Sequence, residues 1–304
     1  MATVLERLGP SGRAAVIRLR SLGDCVLTTP ALHLLKCTRP DLRLAVVVED
    51  RFREIFEGNP DLETILPPEL SAVRAWSPDL TINLHGGTAS ARLTAVSGAA
   101  WRAGFGHYRW QFPYNVRIPR TQEIIGEERT VHTAEHLASA MFFLGVPRRD
   151  IPRARLYTRE PEPGKAYAVI HPVAAAPDKT WTATGFLGCA RFLKESLDLE
   201  PVFIAGPGDD LTPFAGYRCV AGAPLSDIKT LLRGSTLFLG NDSGPAHMAA
   251  AFGIPVVAIF GSSDPSIWYP WQTQSEVIQG PSGIASVTER QVFDALMRLR
   301  AVHA

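Results

Sequence analysis

The stretch GNDSGPAHMAAAFGIPVVAIFG, residues 240–261, decides the fold. The strand TLFLG runs into the turn Asn241-Asp242-Ser243-Gly244-Pro245, a helix over 243–253 follows, and Pro255 opens PVVAIFG, an apolar run fit for a buried strand. Strand, glycine turn, helix and strand in that order make a β-α-β unit of a parallel sheet. At the helix start, free N–H groups and the helix dipole favour an anion such as phosphate, and Gly244 lets a ligand approach the backbone closely. A helix cap made by Asp242 or Ser243 fits the same residues, so the stretch alone leaves both readings open.

Working outward, the alternation continues. Strands are expected at 14–19, 42–49, 63–66 and 80–85, with helices over 25–36, 51–60 and 130–144. Residues 145–165, GVPRRDIPRARLYTREPEPGK, are rich in proline and charge and read as a linker. The boundary is placed there, giving lobes 1–155 and 156–304. The pattern then restarts, with strands at 167–172, 200–206, 236–240 and 255–261 and helices at 184–195 and 226–234. A closing helix begins at an N-cap, Thr288. The class is α/β, two Rossmann-like doubly wound lobes facing a central cleft, with ligands at the carboxyl ends of the strands.

Composition bounds the function. The chain has 304 residues, 46% hydrophobic and 20% charged, with a formal net charge of +1 that does not suggest nucleic acid. Residues 1–155 hold 20 Lys and Arg against 16 Asp and Glu, and the remainder 11 against 14, so the first lobe is the one suited to an acidic partner. Four scattered cysteines with no CxxC pair suit a reducing, cytoplasmic setting. Neither an N-terminal apolar segment nor an 18-residue apolar window is present, which leaves peripheral contact as the mode of meeting a membrane.

Several strand ends carry chemistry. RSLGDCVLTTPAL, residues 20–32, repeats the strand, glycine turn and helix design, and Asp24 there can accept a proton from a hydroxyl or simply cap the helix. HPVAAAPDKTW, residues 171–181, contains Lys179, a diphosphate partner or a solvated loop lysine. GPGDD, residues 206–210, is a glycine turn whose carboxylates suit ribose hydroxyls or merely the turn. HTAEH, residues 132–136, matches an H-x-x-E-H zinc pattern but has no evident third ligand. GxGxxG is missing after the first strand of either lobe and GxSxG is missing around Ser243, which disfavours a nicotinamide dehydrogenase and a serine hydrolase.

Taken together, IRLRSLGDCVLTTPAL, GAAWRAGFG, DKTW and GNDSGPAHMAAAFGIPVVAIFGSSDP resemble the ADP-heptose heptosyltransferases of lipopolysaccharide core synthesis, glycosyltransferase family nine. The resemblance runs over nearly the whole chain. It implies the GT-B fold and an inverting transfer of heptose from ADP-heptose to a sugar hydroxyl, with no cofactor and no required metal. It also implies Asp24 as general base, Lys179 at the diphosphate with Trp181 beside it, and Asp242, Ser243 and Gly244 at the donor sugar and phosphate. His247 follows one helical turn on, and Asp209 holds the ribose. An acidic, lipid-linked saccharide at the inner membrane is the implied acceptor, with Arg102, Arg109, Arg117 and Arg120 as candidates to receive its charge. The chain departs from the family at Ala174, Ala175 and Ala176, where relatives carry hydroxyls that reach phosphate. Another nucleotide sugar, a protein acceptor, or a non-catalytic nucleotide-sugar module are the competing readings.

Overall fold

The computed structural model describes residues 2–301. The chain divides into two compact units, Met1–Tyr157 and Thr158–Ala304. Thr158 falls with the second because its hydroxyl lies 2.7 Å from that of Thr230 and its carbonyl accepts from Arg233.

In the first unit the elements run α1 (Val4–Arg7), β1 (Arg13–Ile17), α2 (Leu22–Thr38), β2 (Arg43–Val47), β3 (Thr64–Leu66), α3 (Leu70–Trp76) and β4 (Leu80–Asn83). They continue with α4 (Thr88–Val96), β5 (Trp101–Phe105), β6 (Val116–Ile118), α5 (Thr121–Ile125) and α6 (Thr133–Leu144). Six parallel strands pair in the order β3-β2-β1-β4-β5-β6. Burial on both faces explains the apolar runs: Ala14–Ile17 and all of β4 are buried. Helix α2 is apolar almost all round, and it packs on α6. Pro30 inside α2 has no N–H to give to the Val26 carbonyl, and the Thr29 hydroxyl donates to that carbonyl instead at 2.8 Å. The helix expected over 51–60 is a 3₁₀ turn at Asp50–Ile55, and it ends before the Gly-Asn-Pro that closes the segment.

The second unit holds β7 (Tyr167–His171), α7 (Ala183–Leu197), β8 (Glu200–Ala205), β9 (Arg218–Ala221), α8 (Leu225–Arg233) and β10 (Leu237–Asn241). After these come α9 (Gly244–Ala251), β11 (Val256–Phe260), α10 (Pro265–Trp268), β12 (Ser275–Gln279) and α11 (Glu289–Ala301). Its parallel order, β12-β11-β10-β7-β8-β9, is the first sheet's order again when strands are counted from the start of the unit. Both sheets therefore have the doubly wound Rossmann arrangement, with the direction of winding reversing between β1 and β4 and between β7 and β10. At those two points the crossover helices leave on opposite faces and open a crevice at the strand ends.

Candidate functional site

In the first unit, β1 delivers its carboxyl end to the loop Arg18–Ser21. Ser21 takes the N-cap position of α2 with an extended backbone, yet its hydroxyl does not cap. It donates to Asp24 Oδ2 at 3.0 Å, while the buried Arg18 guanidinium sits 3.6 Å from Oδ1. Asp24 thus lies in the first helical turn, where the dipole favours a carboxylate, and its side chain keeps 23% of its surface open. The simple-cap alternative for Asp24 does not describe this geometry.

Around this carboxylate stands a group that sequence reading did not assign. Asn83, the last residue of β4, accepts from the His85 and Gly86 N–H groups and donates to the Tyr114 hydroxyl at 2.9 Å. Burial, with Arg18 and Arg20 nearby, holds the His85 ring below the usual histidine range, and its Nδ1 is buried without a partner. Tyr108 packs flat over Gly86, whose φ of +79° a side chain would strain and whose missing Cβ would fall 2.8 Å from the ring. The Tyr108 hydroxyl donates to the Leu84 carbonyl, and burial pushes its pKa up to about 12. His136 is stacked on Phe105 at 4.0 Å and hydrogen-bonded to Thr121, and burial brings it down to about 4.

HTAEH is occupied by helix capping. His132 Nδ1 accepts from Ala134 N–H, and Glu135 accepts from the His132 N–H and from Arg129. Of the four arginines considered for an acidic partner, Arg102 is committed to the Pro113 and Ala99 carbonyls and Arg120 to Glu123 and Glu128.

In the second unit the residues of the opening stretch gather between β7 and β10. Ser243 precedes α9 in an extended conformation, and its hydroxyl makes no cap; it lies 3.0 Å from His171 Nδ1 at the end of β7. Burial brings His171 down to about 4, so the ring is neutral at physiological pH. No side chain caps the first N–H groups of α9; the Ala246 N–H donates to the Ser243 carbonyl at 3.1 Å, and Pro245 has none to offer. Asp242 is 10% exposed; burial raises its pKa, with the Ser263 hydroxyl and Lys179 pulling the other way. Lys179 Nζ stands 3.9 Å from Asp242 Oδ2, a long ion pair that leaves the ammonium's protons available.

Why Lys179 stands there is answered by its neighbours. The Trp181 N–H donates to Asn241 Oδ1 at 3.0 Å, and its indole N–H to the Val287 carbonyl at 2.9 Å. Trp181 is buried against Gly185 and Phe186, so it anchors the lysine's loop and its ring faces the core. On the other side the loop lies on Gly261, where a Cβ would come 1.9 Å from the Asp178 carbonyl oxygen. His247 is buried on α9, its ring 6.4 Å from that of Trp268. Asp209 closes its own turn by accepting from the Gly206 N–H at 2.9 Å, at the end of β8 beside β7. Sequence reading missed His171, Asn241, Gly261, Arg18 and His85. Their position just after or at a strand end was the available signal.

Comparisons with known proteins agree with the two-sheet fold. The family model described as glycosyltransferase family 9 (heptosyltransferase) matches residues 70–294. Lipopolysaccharide heptosyltransferase 3 of Escherichia coli is 26% identical over 290 residues, covering 83% of this chain and 84% of that one. Among solved structures, a glycosyl transferase family 9 protein from Veillonella parvula superposes with a TM-score of 0.84 at 21% identity, over 95% of this chain and 97% of that one. The E. coli heptosyltransferase WaaC with ADP gives 0.78 at 18% identity, over 94% and 99%. Two parallel six-stranded Rossmann-like sheets in one chain are the GT-B architecture these structures share. The chain belongs to glycosyltransferase family 9, the heptosyltransferase family, and is a glycosyltransferase.

Proposed function

We propose that the enzyme transfers heptose, with inversion, from ADP-L-glycero-D-manno-heptose to a sugar hydroxyl of the lipopolysaccharide inner core, with Asp24 as general base. The observation that carries this reading is Asp24 itself: a partly open carboxylate, oriented by Ser21 and Arg18, at the winding reversal of the first sheet. As the acceptor oxygen attacks the anomeric carbon, its proton passes to a carboxylate oxygen of Asp24, the bond to the diphosphate breaks, and ADP leaves. The second unit supplies the other half of the chemistry. Lys179 and the start of α9, which no side chain caps, stabilise charge growing on the leaving diphosphate, and the partly buried Asp242 accepts from a donor hydroxyl. Asp209 is assigned to the ribose, and Gly244 lets phosphate approach the helix end. Trp181 and His247 act from the interior by fixing the lysine loop and α9. The ADP complex of WaaC supports an adenine nucleotide as donor.

One observation favours a second reading. Ala174, Ala175 and Ala176 offer only backbone N–H groups on the loop leading to Lys179, a pocket that tolerates a different nucleotide sugar. Both readings meet in one experiment: transfer and donor hydrolysis with ADP-heptose beside UDP-sugars, for wild type and Asp24→Asn. Loss of a base of this kind lowers kcat by about 10²–10⁴ with donor affinity kept. A full rate in Asp24→Asn sinks the general-base role, and a thermal shift with UDP but not ADP replaces the donor.

A further inference from the structure

Residues 80–122 contain five arginines and no Asp or Glu, the longest acid-free stretch in a chain whose overall net charge is +1. At the centre of this run the β5–β6 loop displays two large apolar side chains to solvent: Trp110 is 37% exposed and Phe112 70%. The Arg109 guanidinium lies 5.4 Å from the Trp110 ring centroid. Arg92, Arg109 and Arg117 are exposed, and among the described residues none makes an ion pair with an acid, in contrast to Arg120.

The display is enforced by the fold. On one side of the tip, Tyr108 is clamped between Gly86 and the Leu84 carbonyl. On the other, the buried Tyr114 accepts from Asn83 and fills the space over Gly104, where a Cβ would lie 2.5 Å from its ring. Both tyrosine hydroxyls reach the end of β4. Five residues, Arg109 to Pro113, lie between these two fixed points; Pro113 is buried, whereas Arg109, Trp110 and Phe112 are exposed. Aromatic side chains beside unpaired arginines are the composition of an interfacial anchor: rings settle at headgroup depth and cations meet anionic phosphates.

We infer that the Arg109–Phe112 loop tip docks the enzyme on an anionic lipid bilayer. The inference deepens the proposed function, because the same tyrosines root the tip beside Asp24 and a lipid-borne acceptor is met at that surface. It stands on the loop's own chemistry, and its test needs neither donor nor acceptor.

The test is flotation of the full chain with vesicles of phosphatidylethanolamine and phosphatidylglycerol, set against phosphatidylcholine vesicles. Wild type is expected to float with the anionic vesicles only, and less at high salt. Trp110→Ser/Phe112→Ser is expected to lower partitioning roughly tenfold, and Arg109→Gln/Arg117→Gln about fivefold per charge removed. Quenching of tryptophan emission by brominated lipid acyl chains should fall in Trp110→Phe. Melting temperatures, unchanged in both double variants, and donor hydrolysis, unchanged in Trp110→Ser/Phe112→Ser, separate loss of docking from loss of folding or chemistry. Equal flotation of wild type and the aromatic double variant overturns the inference. So does binding to soluble phosphorylated saccharide without vesicle binding, or a change in sedimentation coefficient showing that the tip joins two copies of the chain. Flotation that persists in a protein inactive with every nucleotide sugar would retire the proposed reaction and keep the docking surface.

Discussion

His171 and His136 each sit in a place that suits only a neutral ring. Both are brought down to about 4 by burial, whereas an unfolded chain protonates them near 6.5. Between those values the unfolded state binds protons that the folded state refuses, so stability is full above pH 6.5 and falls as pH drops toward 4. The expected loss is about 2 kcal/mol per ring by pH 5, before most carboxylates titrate. Denaturant midpoints measured from pH 7 to 5 should show this slope, and His171→Gln should remove roughly half of it. A flat profile in wild type would contradict the burial of both rings. The Ser243 hydroxyl, 3.0 Å from His171, ties this acid sensitivity to the start of α9.

At the scale of elements, the decisive contact is the one between the loop carrying Lys179 and strand β11. Gly261 has no room for a methyl group, since the Asp178 carbonyl would be 1.9 Å away and Lys179 Cα 2.9 Å. Gly261→Ala must move the lysine by about an ångström, and displacement of that order costs about a hundredfold in kcat/KM. Gly216→Ala, in open space, is the control and should leave the rate unchanged. A second tight element contact is α7 against Trp181. Gly185→Ala would place a Cβ 2.5 Å from the indole, and the crowding is expected to cost about 1–3 kcal/mol in chemical denaturation.

Elements also show what a sequence can and cannot say. The central strands β1, β7, β10 and β11 were legible because burial on both faces writes them as largely apolar runs, and β4 (LTIN) was legible despite its buried Thr81 and Asn83. Of the edge strands, β3 was expected at 63–66, whereas β6, β9 and β12 were not seen. In β9 (RCVA) and β12 (SEVIQ) one face or both meet solvent, and their short polar sequences look like loop. Strand β5 (WRAGF) was seen only as a family motif, and its Gly104 serves the Tyr114 ring, a contact set by tertiary packing. Among candidate site residues, Asp24, Lys179, Asp242 and Ser243 were singled out because they follow strands. Partners such as His171 for Ser243 and Asn241 for Trp181 lie 72 and 60 residues away in sequence, and local spacing carries no trace of such pairings.

For the molecule as a whole, two units with separate sheets and separate cores predict unfolding that is not two-state. Scanning calorimetry should give a calorimetric enthalpy larger than the van't Hoff value. ADP should raise the transition of residues 158–304, by about 2.7 kcal/mol of stabilisation at a hundredfold excess over Kd. A single transition shifted as one by ADP would show instead that the units unfold together. Among the described residues no helix is long and apolar enough to cross a membrane.

Asn83 and Asn241 put one position of the repeated sheet to two uses. Each closes the fourth strand of its unit, each is fully buried, and each accepts backbone N–H groups on its carboxamide oxygen: Asn83 from His85 and Gly86 in its own loop, Asn241 from Trp181 in the loop after the first strand of its unit. Equivalent addresses in the two halves therefore anchor different loops, and replacing either asparagine should loosen a different segment of the enzyme.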